Sequence, residues 1–318
     1  MDNLTHSLIG AALGQAGLKR RTGLAMPALI IGANLPDIDA GCVVWGIESL
    51  SMRRGITHGP IALVVLPVLL AGALWWFDRW QARHGKRPEG RLPVRFGWLL
   101  ALSFIACLTH PLFDWFNNYG VRLLEPCSSQ WLYGDTRFII DPWIIAMLGL
   151  GVWLSLRRER GGAKTASGPS AAALAATAAY VLLNVGISSL AVSAVQWSAY
   201  TAKVANPIPG AFWRREMLWR NNGNAEPSWP PREIYGRALW SVPNNSAGWQ
   251  RKERQGFTSM SDPRIAEWAK HDPAAQAFLF WSRMPVAELL DDRIVLRDQR
   301  FMDARLGDRF SVTLRPPQ

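Results

Sequence analysis

Three Thr-His pairs and three aspartates are the residues of this chain whose types and spacing could do chemistry. They are Thr5-His6, Thr57-His58 and Thr109-His110, with Asp37 and Asp39 after Pro36, and Asp114 four residues after His110. Neutral imidazole and carboxylate are donors that bind zinc and similar divalent cations, and catalytic sites leave a coordination position for water. These residues therefore predict a metal site assembled from distant parts of the chain.

The local spacing predicts how each group would reach the ion. On a helix, His110 and Asp114 lie one turn apart on the same face, so both can contact one ion. Asp37 and Asp39 are expected in a loop after Pro36, presenting two carboxylates or one ligand and one general base. The Thr before each His is expected to cap a helix or to fix the imidazole ring through a hydrogen bond.

Uncharged runs that could position these groups in a membrane dominate the first 200 of the 318 residues. A helix needs roughly 20 residues to cross about 30 Å of hydrocarbon. The runs near this length are expected to span a membrane: 60–77, 96–113 and 171–195. The shorter runs are either short or tilted spans, or buried or re-entrant helices: 4–18, 22–36 and 142–156.

Basic residues in the short loops predict the orientation of the spans, because Lys and Arg are enriched in loops on the cytoplasmic side. Two loops are strongly basic, 78–95 and 157–164, whereas 115–136 contains Arg122 as its single basic residue. Threading the chain through these loops places the His and Asp groups together at the periplasmic face. The chain after Val195 is also predicted to be periplasmic.

Each feature has an ordinary explanation when it is taken alone. A single histidine at a membrane interface is commonly a solvated polar residue, and Pro-Asp-x-Asp is typical of a turn with Asx hydrogen bonds. His110 and Asp114 could form a hydrogen-bonded pair on a helix surface. The metal site is preferred because four separate elements converge at one predicted face. His84 and His271, which lie in polar segments, are interpreted as solvated.

The last third of the chain has a different composition, with many Trp, Arg and Pro residues and no run long enough to span a membrane. Asp262-Pro263 and Asp272-Pro273 predict helix starts. Alternating residues in 293–301 and 309–314, around Arg305-Leu-Gly-Asp308, predict a β-hairpin. The predicted fold class is mainly α: a polytopic helical membrane domain over residues 1–200 and a small soluble α+β domain over 201–318.

Composition argues against several other classes of protein. The net charge is +11, but much of it belongs to the loops that set the orientation, so no nucleic-acid partner is expected. Three cysteines without a Cys-x-x-Cys spacing do not form a disulfide framework. The chain has no Walker-type or Rossmann-type glycine signature and no Gly-x-Ser-x-Gly elbow.

Several segments resemble the YdjM-like family of bacterial inner-membrane, metal-dependent hydrolases. The resemblance rests on Met1-Asp-Asn-Leu-Thr-His6, Asn34-Leu-Pro-Asp37-Ile-Asp39, Arg53-Arg-Gly-Ile-Thr-His58 and Thr109-His110-Pro-Leu-Phe-Asp114 with Asn117, Asn118, Tyr119 and Gly120, and more faintly on 206–213 and 295–301. It implies a multi-pass inner-membrane hydrolase with a bound metal. It also implies a regulatory protein as a partner, since the family has been described as binding LexA, which would require a cytoplasmic surface.

The function predicted from these residues is hydrolysis of a lipid or lipid-linked ester or phosphoester at the outer membrane face by a metal-activated water. The expected ligands are His6, His58, His110 and Asp114, completed by Asp37 or Asp39. They would hold one or two divalent ions, with zinc preferred. Asp39 would orient or deprotonate the water. Arg54 would bind an anionic group such as a phosphate, although Arg53 and Arg54 also suit lipid headgroups.

Two classes of non-hydrolytic protein remain as alternatives. In a transporter for protons or metal ions, the same His and Asp residues would carry the cargo, but polar groups would then be distributed through the membrane depth. A non-catalytic membrane anchor would present the C-terminal region to a partner, and it would leave the clustered His and Asp unexplained.

Overall fold

The computed structural model describes residues 3–163, 165–194, 202–221, 234–242, 257–258, 260, 262–290, 292–302 and 309–316. The described residues up to 194 are mainly helical. The α-helices there are α1 Asn3–Gln15, α2 Ala25–Asn34, α3 Ser49–Met52, α4 Pro60–Arg83, α5 Phe96–Trp115, α6 Pro142–Arg160 and α7 Gly168–Ser193. Three stretches of 3-10 helix join them: Leu18–Arg20, Leu35–Glu48 and Ile56–His58.

The C-terminal region combines two small antiparallel sheets with two short helices. One sheet has the order β1-β2-β3, from Ala202–Pro207, Arg214–Asn221 and Ile234–Ser241. The other has the order β4-β5-β6-β7, from Phe257–Thr258, Pro285–Leu290, Arg293–Asp298 and Ser311–Leu314, and the helices are α8 Pro263–Ala269 and α9 Pro273–Trp281. The predicted fold class, mainly α with a C-terminal α+β region, is confirmed.

The helix starts and the strand pairing predicted for this region are present in the structure. Asp262 and Asp272 accept hydrogen bonds from backbone N–H groups in the first turns of α8 and α9, as expected of N-caps before Pro. Strands β6 and β7 pair antiparallel, Ile294 opposite Leu314, as the alternation predicts. The turn predicted at Arg305-Leu-Gly-Asp308 lies outside the described residues.

Contacts along the chain define two compact units. The helical unit comprises Met1–Asp39 and Arg54–Asn184, and the strand-bearing unit comprises Ala40–Arg53 and Val185–Gln318. All of the predicted site residues belong to the helical unit. The sequence-based boundary at residue 200 and the periplasmic location of the second domain stay predictions.

Four helical segments are long and apolar enough to cross a membrane. They are Ala25–Met52, Pro60–Arg83, Phe96–Trp115 and Gly168–Ser193. The first is not one regular helix, because α2 ends at Asn34 after 10 residues and 3-10 helix follows, with Gly46 at φ 60°. Since 10 residues of α-helix rise only about 15 Å, α2 by itself is a half-length helix.

Small residues let the half-length helix α2 approach α5 closely. A Cβ added at Gly32 would lie 2.9 Å from Cβ of Ala106, and Ala28 and Ala33 are fully buried in the same core. Close backbone approach through small residues is the common way in which membrane helices pack. As a result, the C-terminal end of α2 contacts α5 at His110, which lies one turn before Asp114.

The same packing predicts that Gly10→Ala destabilises the helical unit. A Cβ at Gly10 of α1 would lie 2.4 Å from the backbone oxygen of Leu29 in α2, and backbone cannot move aside as a side-chain tip can. We expect a loss of about 1–3 kcal/mol of unfolding free energy, measured by unfolding of the detergent-solubilised protein. Gly72→Ala in α4 is the matched control, because open space surrounds that position. An equal effect of both substitutions would contradict the close helix contact.

Candidate metal centre

Four buried side chains from three parts of the helical unit converge on one point. His110 and Asp114 come from the last two turns of α5, and His110 lies about 21 Å along that helix from Phe96. Asp37 comes from the 3-10 helix that continues α2, and His58 ends the short 3-10 turn before α4. One ligand atom from each of these residues lies within 4.8 Å of all the others. The predicted convergence is therefore observed.

The separations between these atoms match those around a metal ion. Asp37 Oδ1 lies 3.4 Å from His110 Nε2 and 3.9 Å from His58 Nε2. Asp114 Oδ2 lies 3.4 Å from His58 Nε2 and 3.5 Å from His110 Nε2. Ligand atoms about 2.1 Å from a tetrahedral ion are about 3.4 Å apart. The four nitrogen–oxygen separations are therefore close to those of a tetrahedral site, and small side-chain adjustments would complete it.

Several of these atoms are buried without a hydrogen-bond partner among the described residues. They are both oxygens of Asp37 and the Nε2 atoms of His58 and His110. The two histidine side chains are fully buried. Buried polar groups are almost always paired, because water no longer satisfies them. Asp37 Oδ1 lies 3.4–3.9 Å from the two Nε2 atoms, so the donor set fits a cation.

The Nδ1 atoms of His58 and His110 have polar partners, and these contacts orient the two Nε2 atoms toward Asp37 and Asp114. Nδ1 of His110 lies 2.6 Å from the backbone oxygen of Ala33, the next-to-last residue of α2. Nδ1 of His58 lies 3.0 Å from Thr57 Oγ1, which donates to Asp39 Oδ2 at 2.8 Å. Both contacts favour the tautomer protonated at Nδ1, which leaves the Nε2 lone pair for a metal.

His6 lies at the edge of the same cluster. Its ring stacks on that of His110 with centroids 3.8 Å apart, and its Nε2 lies 3.5 Å from Asp114 Oδ1. His6 Nδ1 is buried without a hydrogen-bond partner among the described residues. His6 therefore faces the second oxygen of Asp114, away from the four-atom group.

Asp37 and Asp39 point in different directions, and the expectation that they lie in a loop is wrong. Both belong to the 3-10 helix Leu35–Glu48. With three residues per turn, positions two apart lie about 240° apart around the axis. Asp37 accordingly faces His110, whereas Asp39 Oδ2 accepts hydrogen bonds from the backbone N–H of Arg54 at 2.7 Å and from Thr57 Oγ1.

Arg54 is buried and binds Asp114 through two nitrogen atoms. Its Nε lies 2.9 Å from Asp114 Oδ2, and its Nη2 donates to Asp114 Oδ1 at 3.0 Å. Its Nη1 donates to Asn117 Oδ1 and to the backbone oxygen of Gly120, and the guanidinium lies 4.6 Å above the ring of Tyr119. The guanidinium predicted to bind an anionic substrate is thus occupied by the protein itself.

The backbone at Arg54 adopts an uncommon conformation, with φ 53°. Left-handed backbone is disfavoured for a side chain of this size and persists only where the surroundings impose it. Here the N–H of Arg54 is held by Asp39, and its backbone oxygen accepts from the N–H of Arg122 at 2.8 Å. The strained residue is therefore fixed from both sides at the centre of the cluster.

The segment after α5 packs against the turn that carries His58, since Arg122 and Glu125 contact Gly55 and Gly59 closely. Arg122 lies over Trp131 and 3.5 Å from Glu125, and burial lowers the pKa of its guanidinium while Glu125 and Asp39 act in the opposite direction. Sequence reasoning assigned no role to Asn117, Tyr119 or the carbonyl of Gly120. Their position directly after the His110-to-Asp114 motif was the available signal.

The three Thr-His pairs are not equivalent. Thr57 contacts the ring of His58, as expected for a residue that orients a ligand. Thr109 instead donates to the backbone oxygen of Ala106 in its own helix, a bond typical of Thr inside helices. Thr5 is fully buried beside His6. The threonines of the repeated Thr-His dipeptide therefore make different contacts.

The structure is that of a helical membrane protein whose helical unit carries a buried cluster of histidine and aspartate. A family model described as YdjM inner membrane protein matches residues 1–191, which include all six predicted ligands. The chain belongs to this family, and the predicted resemblance is confirmed. The family description and the four apolar helices support a location in the inner membrane.

A curated relative gives no further functional information. The chain is similar to an uncharacterized protein, YfhP, of Bacillus subtilis (strain 168), with 26% identity over 167 residues. The similarity covers 48% of this chain and 46% of the relative, so the chain spans about half the length of that protein. No solved structure matches.

Proposed function

We propose that the protein is a membrane-bound metal-dependent hydrolase whose ion is held by Asp37, His58, His110 and Asp114. One observation carries the proposal: two imidazole Nε2 atoms and two carboxylate oxygens converge in a buried position, with four nitrogen–oxygen separations of 3.4–3.9 Å. Mixed imidazole and carboxylate donors suit zinc, which is the ion we propose. His6, whose Nε2 lies 3.5 Å from Asp114 Oδ1 and whose Nδ1 has no hydrogen-bond partner among the described residues, would supply a donor to a second ion.

The charge of the cluster also supports a divalent cation. Arg54 contacts Asp114, and Asp39 interacts electrostatically with Arg122. Among the described residues, the ion-pair partners of buried Asp37 are His58 and His110 alone. With neutral histidines this carboxylate has no cation beside it, in an environment that strongly disfavours isolated charge. A divalent cation would neutralise it.

The residues around the ion would have distinct roles in the reaction. A bound divalent ion would lower the pKa of a water toward about 7 and polarise the scissile group. Asp39 keeps Oδ1 free of hydrogen bonds among the described residues, so this oxygen can accept a proton from water. Arg54 would position Asp114 rather than bind substrate, because its donors already contact Asp114, Asn117 and Gly120.

We propose a lipid or a lipid-linked ester or phosphoester as the substrate. Apolar side chains beside the cluster in sequence are exposed: Ile38 next to Asp37 and Asp39, and Ile56 next to His58. In a membrane such side chains contact acyl chains or the headgroup region. The basic loops place this end of α5 at the periplasmic face in the proposed orientation, so the substrate would be in the outer leaflet.

The test of hydrolysis is the Asp39→Asn variant. Asparagine keeps an acceptor for Arg54 and Thr57 but cannot take a proton, so we expect the rate to fall by roughly 10²- to 10⁴-fold with the metal retained. The measurement is hydrolysis by zinc-loaded, detergent-purified protein of nitrophenyl esters and phosphates, and of fluorescent phospholipids in vesicles. Glu89→Gln, an exposed carboxylate in the basic loop, is the control. Undiminished activity of Asp39→Asn, or an inactive metal-loaded wild type, would contradict the proposal.

A second candidate, a purely structural ion, is favoured by the complete burial of the cluster. Structural zinc sites are closed by four protein ligands, whereas catalytic sites keep an open position. Here Asp37, His58, His110 and Asp114 supply four ligands and are 0–5% exposed. If chelation unfolds the protein and no ester is hydrolysed by the metal-loaded form, the structural role replaces the catalytic one.

A further inference from the structure

An open apolar groove runs between α6 and α7 of the helical unit, away from the metal centre. It has a volume of about 500 Å³, within the roughly 300–1,000 Å³ of pockets that hold small molecules. Its lining residues are mostly small or aliphatic: Met147, Leu150, Gly151, Leu154, Arg158, Gly168, Pro169, Ala172, Ala173 and Ala176. None of them belongs to the proposed hydrolytic site.

Close contact between the two helices builds the floor of the groove. A Cβ added at Gly151 would lie 2.4 Å from Cβ of Ala173. The hydroxyl of Ser170 donates to the backbone oxygen of Gly151 at 3.1 Å and lies 2.9 Å from Ser155 Oγ. These buried polar contacts hold the helices in register. These contacts join α6 to the first turns of α7 beside the groove.

One end of the groove carries a cation, Arg158, that no carboxylate of the described residues neutralises. Arg158 lines the groove, and its Nη1 lies 4.0 Å from the position of a Cβ at Gly168, where α7 begins. Glu159 forms an ion pair with Lys19. Across the ranges that the structure describes, no carboxylate lies within ion-pair distance of Arg158. Arg157 and Arg160 add positive charge to the same helix turn.

We propose that this groove binds an anionic phospholipid, with an acyl chain along the small residues of α7 and the phosphate at Arg158. The groove is apolar along its length and cationic at one end, which matches the charge distribution of such a lipid. Basic pockets between membrane helices at the cytoplasmic side are typical binding sites for anionic headgroups. The basic turn at Arg157 to Arg160 belongs to the loop predicted to be cytoplasmic, so the lipid would come from the inner leaflet.

The headgroup contact is tested by lipid-dependent thermal stability of the purified full-length protein. Phosphatidylglycerol is expected to raise the unfolding temperature of the wild type, whereas phosphatidylcholine and inorganic phosphate are not. Arg158→Gln is expected to raise the half-saturating lipid concentration roughly fivefold, the effect of one arginine near an anionic headgroup. Arg83→Gln, at the exposed end of α4, is the control. Equal stabilisation by both lipids, or by phosphate alone, would overturn the proposal.

The acyl-chain contact is tested by filling the groove. Ala176 lines the groove and is exposed, and Ala175 is exposed on the same helix but does not line it. Ala176→Phe is expected to lose most of the phosphatidylglycerol that copurifies with the protein in a mild detergent, as measured by native mass spectrometry. Ala175→Phe is expected to retain it. The same lipid content in both variants would show that the groove is not the binding site.

Discussion

His58→Ala and His110→Ala are each expected to abolish metal binding by the purified protein. Each removes an Nε2 atom that lies 3.4–3.9 Å from the carboxylate oxygens of Asp37 and Asp114, and so takes away one of the four donors of the group. Because loss of a residue that merely orients a ligand weakens metal binding 10- to 100-fold, loss of a ligand should exceed about 100-fold. The measurement is elemental mass spectrometry of zinc-reconstituted protein.

His84→Ala is the matched control for this experiment. His84 is an exposed histidine after α4, and its Nδ1 lies 2.8 Å from the backbone oxygen of Trp80, far in sequence from the cluster. Its removal is expected to leave the metal content unchanged. A wild type that stays free of metal after reconstitution would remove the basis of both the catalytic and the structural proposals. Metal that persists in folded His58→Ala and His110→Ala would locate the ion elsewhere.

Arg54→Leu is expected to be the most destabilising substitution of a charged residue in the helical unit. It leaves the carboxylate of Asp114 buried without the guanidinium that contacts both of its oxygens. Breaking a buried ion pair by removing one partner reduces the free energy of unfolding by about 3–5 kcal/mol. The measurement is unfolding of metal-free protein in detergent.

Two comparisons make this result specific to the ion pair. Arg83→Ala removes an exposed arginine at the end of α4 and should change stability by less than about 0.5 kcal/mol. In an Asp114→Asn background, Arg54→Leu should be less damaging, because no uncompensated charge remains. Strict additivity of the two substitutions would mean that the Arg54–Asp114 contact contributes little to the fold.

The sequence by itself determined the convergence of the cluster. The i, i+4 spacing of His110 and Asp114 requires only a helix, and the uncharged run 96–113 predicts one. The alternation of apolar runs with basic loops predicts that the ends of four segments lie at one membrane face. Segment length and charge are local properties, so they can be interpreted without knowing how the helices pack. The N-caps at Asp262 and Asp272 are local in the same sense.

Only the tertiary structure decided what each side chain contacts. The 3-10 geometry turns Asp37 toward His110 and Asp39 toward Arg54, although the two aspartates are close in sequence. Arg54, which was expected to bind an anionic substrate, instead holds Asp114, and the carbonyl that orients His110 comes from Ala33, 77 residues earlier. These contacts depend on the distance between packed helices. Small residues such as Gly32 allow the helices to approach closely, and many weak packing interactions fix the distance. No short sequence pattern encodes that distance.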